Sequence, residues 1–537
     1  MHDLSAQIRR LHPFMYLKPA SPAVNRLDLL LLAAAIAFMY CLLFKFPSGS
    51  LFHDSDQLIF LYGAERMYHG EHLYRDFFHF EFPGGRVLYL VLFLIFGVKY
   101  WVLGLATLLM GATTFWVTLR ISRLLIDGPY AYLPAIVFMF FGMRWLGIDG
   151  SHRSFSILFV MIAAWVLLKG GSYYHIVTCG VLCALASFFT QQRGLVAVAA
   201  FGLFMLIDNY MDGSLWKKAL KQILALVISF AAALGALCSY FIATAGWDTF
   251  YQSTIVYPVN YYNLHPQNSY SVFIATLKTA FSGTDMPSFF AILPALAYTV
   301  LPPLAIAVFF SVFWLGRRSR NWQLWRGPMI LAFAGAFLIL STGNPSFLRF
   351  FQMSAPSLII IGWLLSYFDV FAKRKRLVVA ALGGTMILVS AVQGIRLQTH
   401  WNYAELDTER GKLFGVDGPR FERYFWLRNH TQPGDFVYQV DEPFVYFPLG
   451  LRNPSRYSQI FPNGYTRPEH VAGVIEDLKK NPPKYILWDN SYNKPEAERA
   501  SDDYTGPLSE YLLSEYHPVS EVFQVDVIPY QIWGRNQ

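Results

Sequence analysis

The feature that most constrains this chain is a succession of apolar runs, each approaching the length of a membrane crossing. A helical span takes roughly 20 residues to cross roughly 30 Å of hydrocarbon. Runs of that kind lie near 27–45, 100–119, 130–147, 154–168, 175–190, 194–208, 222–245, 288–314, 328–342, 351–369 and 377–395. Over 537 residues, 55% are hydrophobic and only 15% charged, which excludes an ordinary soluble protein. The expected class is a polytopic α-helical membrane protein of about 11 spans. The first run begins only after residue 26 and has no small-residue cleavage site, so it is expected to remain as a span.

Lysine and arginine in short loops set the expected orientation. Arg9, Arg10, Lys18 and Arg26; Arg120 and Arg123; Lys169; Lys217, Lys218 and Lys221; Arg317, Arg318, Arg320 and Arg326; and Lys373 to Arg376 all fall on one side of these spans. That side is read as the cytoplasm. The segment 46–99, the loop 246–287 and the tail then lie outside. The tail from Arg396 holds 15 Lys+Arg against 20 Asp+Glu, leaving 28 against 15 for the membrane part. The net charge of +8 therefore belongs to the inner loops and to contact with anionic lipid, not to nucleic-acid binding. All four cysteines sit in apolar runs, and no other soft metal ligands accompany Cys179 and Cys183.

The long apolar runs stop near residue 395, which divides the chain into a membrane domain, 1–395, and an outer domain, 396–537. In the tail, DFVYQV (435–440), KYILWD (484–489) and EVFQVDVI (521–528) read as strands. FERYFWLRNH, PEHVAGVIEDLKK and LSEYLLSEY read as amphipathic helices, and Pro433-Gly434 and Pro482-Pro483 as turns. The alternation predicts a small soluble α/β domain. It contains no cysteine, so it folds without disulfides.

The stretch HDSDQLIFLYGAERMYHGEHLYRDFFHFEFPGG (53–85) carries six carboxylates and four histidines at the edge of the bilayer. Asp54 and Asp56 are two apart, ahead of a helical LIFLYGAERMYHG. Read blandly, Asp56 is a helix N-cap and the other charges solvate a loop. Two features favour a site instead. PGGRVLYLVLFLIFG (83–97) is too short to span and reads as an interfacial helix over the loop. Isolated arginines, Arg144, Arg153, Arg193 and Arg349, stand at the outer ends of spans, where positive charge is disfavoured and costly unless paired. Arginine suits fork-like contact with phosphate. Carboxylates, arginines and a covering helix on one outer surface suit a reaction on a lipid-linked phosphate, a carboxylate taking the proton of the attacking group. The tyrosines and asparagines of STIVYPVNYYNLHPQNSYS, in the loop 246–287, suit either sugar stacking or an interfacial aromatic belt.

An aspartate near the end of the first span, followed by LYGAERMYHG, LYRDFF, FPGG and LYLVLFLIFG, resembles the first outer loop of GT-C fold glycosyltransferases. The likeness is nearest to bacterial relatives of protein O-mannosyltransferases and lipid A aminoarabinose transferases. TQQRG (190–194) resembles the polar break between two spans of that family, and WLRNHTQPGDFVY the start of its outer domain. The resemblance implies a GT-C-like fold and a polyprenyl-phosphate sugar donor. It implies transfer of a hexose or pentose, with inversion, to a lipid, glycan or protein acceptor. The site would lie on the extracytoplasmic face of a bacterial inner membrane. Many relatives carry Asp-Glu at the loop start; here Asp56 is followed by Gln57, and Asp54 makes an Asp-x-Asp alternative. Asp54 and Asp56 are the expected catalytic residues. His53, Tyr74, Arg75, Asp76, His79, Arg153, Arg193 and Arg349 are the expected substrate-binding ones. Asp76 has a structural alternative, pairing with Arg75 or Arg66. His53, Asp54 and Asp56 are also ligand types for a divalent magnesium or manganese ion.

Two other classes compete. A lipid or glycan transporter would place ionisable residues near the bilayer midplane, often on paired broken helices; here the charges gather at span ends and no half-to-half symmetry is evident. A non-catalytic envelope-assembly scaffold would not depend on Asp54 or Asp56.

Overall fold

The computed structural model describes residues 23–47, 49–143, 149–262, 268–275, 286–316, 321–399, 403–525 and 527–536. The protein is an integral membrane protein. Among the described residues, eight helices are long and apolar enough to cross a membrane, and four apolar helices are shorter. In chain order, together with two further short helices at 57–68 and 347–352, they are α1 (Arg26–Leu43), α2 (Gln57–Tyr68), α3 (Gly84–Phe96), α4 (Trp101–Leu125), the irregular α5 (Pro129–Gly142), α6 (His152–Lys169), α7 (Tyr173–Phe189), α8 (Gln191–Met211) and α9 (Trp216–Ala245). There follow α10 (Met286–Leu315), α11 (Trp322–Leu340), the short α12 (Phe347–Gln352), α13 (Ala355–Tyr367) and α14 (Lys375–Thr399).

Burial separates central from peripheral spans. In α4, 72% of the apolar window is buried against other helices, and in α9 only 11%. The α9 sequence is equally apolar, so its exposed Leu and Ile side chains suit lipid contact. One end of the bundle is tied by ion pairs. Asn25 and Asp28 form a capping box at the start of α1, and Asp28 also receives Arg123 from the end of α4. Near the other end, α7 and α8 approach so closely that a Cβ on Gly194 would stand 2.0 Å from the Cys183 carbonyl. Small residues allow such contact between apolar helices.

The short apolar segment at 84–96 forms a helix of its own, separate from α4. Gly84, Gly85, Arg86, Tyr89 and Phe93 face inward, while Val91, Leu94, Ile95 and Phe96 are exposed. A one-sided apolar surface of this kind fits a helix lying along the bilayer interface. It packs over α2.

The C-terminal part forms two sheets with helices α15 (Pro419–His430), α16 (Pro468–Lys480) and α17 (Gly506–Glu515). The first sheet has the order β1 (Phe44–Lys45), β2 (Gly49–Leu51), β4 (Gly411–Val416), β3 (Tyr403–Thr408). Strand β2 pairs with β4 in parallel, Ser50 opposite Leu413, so the segment after α1 and the tail share this sheet. The second runs β5 (Val437–Gln439), β6 (Tyr485–Asp489), β9 (Ile528–Arg535), β7 (Tyr516–Pro518), with β8 (Phe523–Val525) also on β9. Only its β5–β6 pair is parallel. The tail helices fall where the amphipathic pattern predicts them. The β3–β4 hairpin and the long β9 were not anticipated: YAELDT carries charges and GKLFGV two glycines, and β9 continues beyond the run at 521–528.

Candidate functional site

A cavity of about 410 Å³ opens between helices beside the loop that carries Phe80, Glu81 and Phe82. Its walls are largely apolar: Phe80, Leu195, Phe230, Leu234, Val259 and Leu338 are among them. Three guanidinium groups, of Arg153, Arg193 and Arg349, also line it. Arg153 and Arg193 are the second and third residues of α6 and α8, and Arg349 lies in α12. Each stands at a helix end, where burial against water-accessible space is cheapest. Arg193 Nη1 donates to the Arg153 carbonyl at 2.5 Å and to Ser156 Oγ at 3.2 Å. Arg349 Nη1 donates to the carbonyls of Gly343 (2.8 Å) and Asn344.

Asp56 meets this cluster directly: Arg153 Nη1 donates to its Oδ2 at 2.7 Å. Burial pushes the Asp56 carboxyl up, but Arg153 and, more weakly, Arg349 outweigh it, so the net direction is down. Asp56 is therefore ionised and a weak base. It precedes α2 but makes no capping hydrogen bond, so its carboxylate is turned to Arg153 instead of the helix.

Asp54 points elsewhere. Both its oxygens are engaged by the tail, one by Arg423 and the other by the Tyr424 hydroxyl at 2.9 Å. His53 is also committed: its Nε2 lies 3.2 Å from the Leu42 carbonyl, and its N–H donates to Tyr100. The residues expected as metal ligands thus diverge onto three separate partners. Among the described residues, no three His, Cys, Asp or Glu side chains converge on a metal position. These residues do not fit a metal.

The LYRD turn is self-contained. Arg75 pairs with Asp76 at 2.8 and 2.9 Å, and Asp76 accepts the His72 N–H at 2.7 Å, as the structural alternative required. Tyr74 is held at φ 72°, an unfavourable value for a bulky residue. Its hydroxyl donates to the Glu81 carbonyl at 2.6 Å. Of these residues none lines the cavity. Glu81, which the sequence analysis counted only among the loop acids, does line it. Its carboxylate lies 3.2 Å from His152 Nε2, 3.3 Å from His79 Nδ1 and 3.5 Å from Arg86. Burial raises the Glu81 pKa against the pull of Arg86 and Arg153, and burial drives His79 well down, leaving it neutral. His79 and Arg86 lie close to Glu81 in sequence, but His152 reaches it from α6, and no spacing in the loop records that contact.

The loop after α9 contributes Thr254, Ile255, Pro258, Val259 and Tyr262 to the cavity wall. It also touches the tail. Tyr257 donates to the Tyr465 carbonyl, and the Tyr465 hydroxyl lies 3.2 Å from Asn268. Arg144, and residues 263–267 of this loop, lie outside the described residues.

No protein-family model and no curated protein matches the chain. Among solved structures, it is similar to the Archaeoglobus fulgidus oligosaccharyltransferase complexed with zinc and sulfate, at 14% identity and a TM-score of 0.48, covering 91% of this chain and 71% of that one. The archaeal oligosaccharyltransferase AglB from the same organism, with an inhibitory peptide and a dolichol-phosphate, gives 13%, 0.46, and 95% and 74%. ArnT from Cupriavidus metallidurans bound to undecaprenyl phosphate gives 13%, 0.46, and 95% and 98%. Likeness at this level fixes neither substrate nor residue roles.

Proposed function

We propose that this chain is a GT-C-type glycosyltransferase that moves a hexose or pentose from a polyprenyl-phosphate donor to a lipid, glycan or protein acceptor. The observation that carries this reading is the cavity: its walls are largely apolar, which suits a polyprenyl tail, and Arg153, Arg193 and Arg349 share them, with Asp56 joined to Arg153. An apolar cavity lined by three arginines is complementary to a lipid with a phosphate head.

In the reaction, the acceptor oxygen or nitrogen attacks the anomeric carbon. The bond from that carbon to the phosphate oxygen breaks, and its electron pair leaves with the polyprenyl phosphate. The three arginines neutralise the charge that grows on the leaving phosphate. Asp56, ionised, orients Arg153 and stabilises positive charge developing on the sugar. Asp54 has an orienting role, exerted through the tail domain it holds. Glu81 and His152 fix the polar end of the cavity. The positive-inside pattern puts the site and the 396–537 domain on the extracytoplasmic face, and a bacterial inner membrane is the proposed location. A transporter remains the second reading, supported only by the lipid-sized cavity.

The reading is tested by comparing two ligands of one tail. Purified protein in nanodiscs should bind undecaprenyl phosphate at least tenfold more tightly than undecaprenol, by native mass spectrometry. Equal affinity would remove the phosphate from the argument.

A further inference from the structure

We propose that Glu81, on the cavity wall beside His152, is the general base that takes the proton from the acceptor. This rests on the glycosyl-transfer reading above. Attack by a hydroxyl or amine leaves a proton that a group within reach must take up. Among the described residues lining the cavity, Glu81 and His152 are the ones that carry a carboxyl or imidazole group; the other ionisable side chains there are the three arginines and Tyr262. Asp56 is held by Arg153 and Asp54 by Arg423 and Tyr424, and neither is part of the lining.

The hydrogens around Glu81 follow from two backbone contacts. The Phe80 N–H donates to His79 Nδ1 at 3.1 Å, so that nitrogen carries a lone pair. The Phe189 carbonyl lies 3.0 Å from His152 Nδ1, so this nitrogen carries its hydrogen and the neutral ring presents a bare Nε2. The two bare nitrogens face the two oxygens of Glu81. His152 Nε2 stands 3.2 Å from Oε1, and His79 Nδ1 stands 3.3 Å from Oε2. With Glu81 ionised and both rings neutral, acceptor atoms would meet at both contacts with no hydrogen between them. One proton shared by Glu81 and His152 removes the conflict at Oε1. The pair therefore has a high affinity for a single proton, because losing it restores the conflict. Buried Arg86 stands 3.5 Å from Oε2, and its guanidinium makes no hydrogen bond. Its charge tempers the carboxylate left when the proton departs, which keeps that form accessible.

The charged and titratable groups facing the pair are His79 from the loop, Arg86 from α3, Arg153 beside His152 on α6, Arg193 from α8 and Asp56 ahead of α2. Burial acts most strongly on Glu81 and raises its proton affinity against Arg86 and Arg153. At Asp56 burial acts the same way, but the arginines outweigh it. Two carboxyl groups set apart in this way divide the work: one stays ionised and the other exchanges a proton. In the step, the acceptor O–H or N–H proton passes to the Glu81 carboxylate. The electron pair of that bond forms the new bond to the anomeric carbon, and the pair of the carbon–oxygen bond to phosphate departs with polyprenyl phosphate. Glu81 then shares the proton with His152 and yields it to water before the next cycle.

The test uses full-length protein in nanodiscs with undecaprenyl-phosphate-linked glucose, mannose and arabinose. Water is one acceptor and azide, which needs no base, the other. Glu81→Gln should lower hydrolysis at least about 100-fold, within the range ascribed to general bases. Its azide-dependent release of undecaprenyl phosphate should stay within about threefold of wild type, and its undecaprenyl-phosphate affinity should be unchanged. Wild-type hydrolysis should rise with pH to a plateau as the pair loses its shared proton. In His152→Gln, whose amide can donate to the carboxylate, the midpoint of that rise should move to lower pH. Unchanged hydrolysis in Glu81→Gln would overturn the proposal, and an unmoved midpoint in His152→Gln would overturn the shared proton. A parallel fall of the azide reaction, or loss of undecaprenyl phosphate binding, would also overturn it, by assigning Glu81 to positioning or binding. If wild type releases nothing with water or azide, the transfer reading itself has failed, and the role of Glu81 as base falls with it.

Discussion

Arg423 of the tail and Asp54 of the loop between α1 and α2 stand 369 positions apart in sequence and form a pair in which each side chain is 2% exposed. Arg423 also lies over the Tyr530 ring, 4.6 Å from its centre. Removing one partner of a buried pair leaves an uncompensated charge and costs about 3–5 kcal/mol, whereas replacing both by apolar residues is often neutral. Arg423→Met should accordingly lower the thermal midpoint of the purified chain and speed proteolytic nicking of the tail. Asp54→Leu/Arg423→Met should recover most of both. A double variant as weak as the single one would show that the pair does not hold the tail.

Asp441 gives the tail a pH dependence of its own. Burial pushes its carboxyl up to about 7, against the Tyr530 hydrogen bond. An unfolded aspartate titrates near about 4. Between those values the folded state binds more protons, so stability is greatest at the acid side and falls as pH rises from about 4 to about 7. Asp441→Asn keeps an acceptor for Tyr530 and should flatten that part of the curve. Thermal midpoints at pH 5 and pH 8 in detergent, wild type beside variant, would detect the change. Equal declines in both proteins would exclude Asp441 as the source.

Arg153 and Arg349 should each contribute to ligand affinity through the phosphate. A hydrogen bond to a charged group contributes about 1.5–3 kcal/mol, or roughly 10- to 100-fold in Kd. Arg349→Gln and Arg153→Gln should each weaken undecaprenyl phosphate binding by that order while leaving undecaprenol binding unchanged. Arg349→Lys should recover only part, since an ammonium lacks the planar fork. Loss of both ligands together would mean that the cavity had collapsed.

Helix spacing beside the site should also be sensitive. A Cβ on Gly194 would press on the Cys183 carbonyl at 2.0 Å and the Ser187 N–H at 2.5 Å, both α7 backbone. Gly194→Ala must push α8, with the adjoining Arg193, away from α7. Lower thermal stability together with weaker undecaprenyl phosphate binding is expected. A variant of wild-type stability and affinity would show that the helices accommodate the methyl group.

Eight of the eleven expected spans, the separate helix at 84–96 and the tail helices were legible because apolar length and amphipathic period are local properties; the helices at 129–142, 173–189 and 355–367 fall short of crossing length. So was the suspicion attached to Arg153, Arg193 and Arg349, since a lone arginine at an apolar helix end is locally expensive. Asp54 and Asp56 looked alike in sequence but face opposite partners, Arg423 and Arg153, and nothing within the loop distinguishes them. Glu81 was hidden in part for the same reason: His79 and Arg86 are near it in sequence, but His152 reaches it from α6.

The most direct test of the account is release of undecaprenyl phosphate from undecaprenyl-phosphate-linked sugars by purified wild-type protein, read by mass spectrometry beside Asp56→Asn. Wild type should release it from at least one donor, and Asp56→Asn should lose release while still binding undecaprenyl phosphate. Intact donors with folded wild-type protein, together with passage of labelled lipid across a vesicle, would contradict it and favour a transporter.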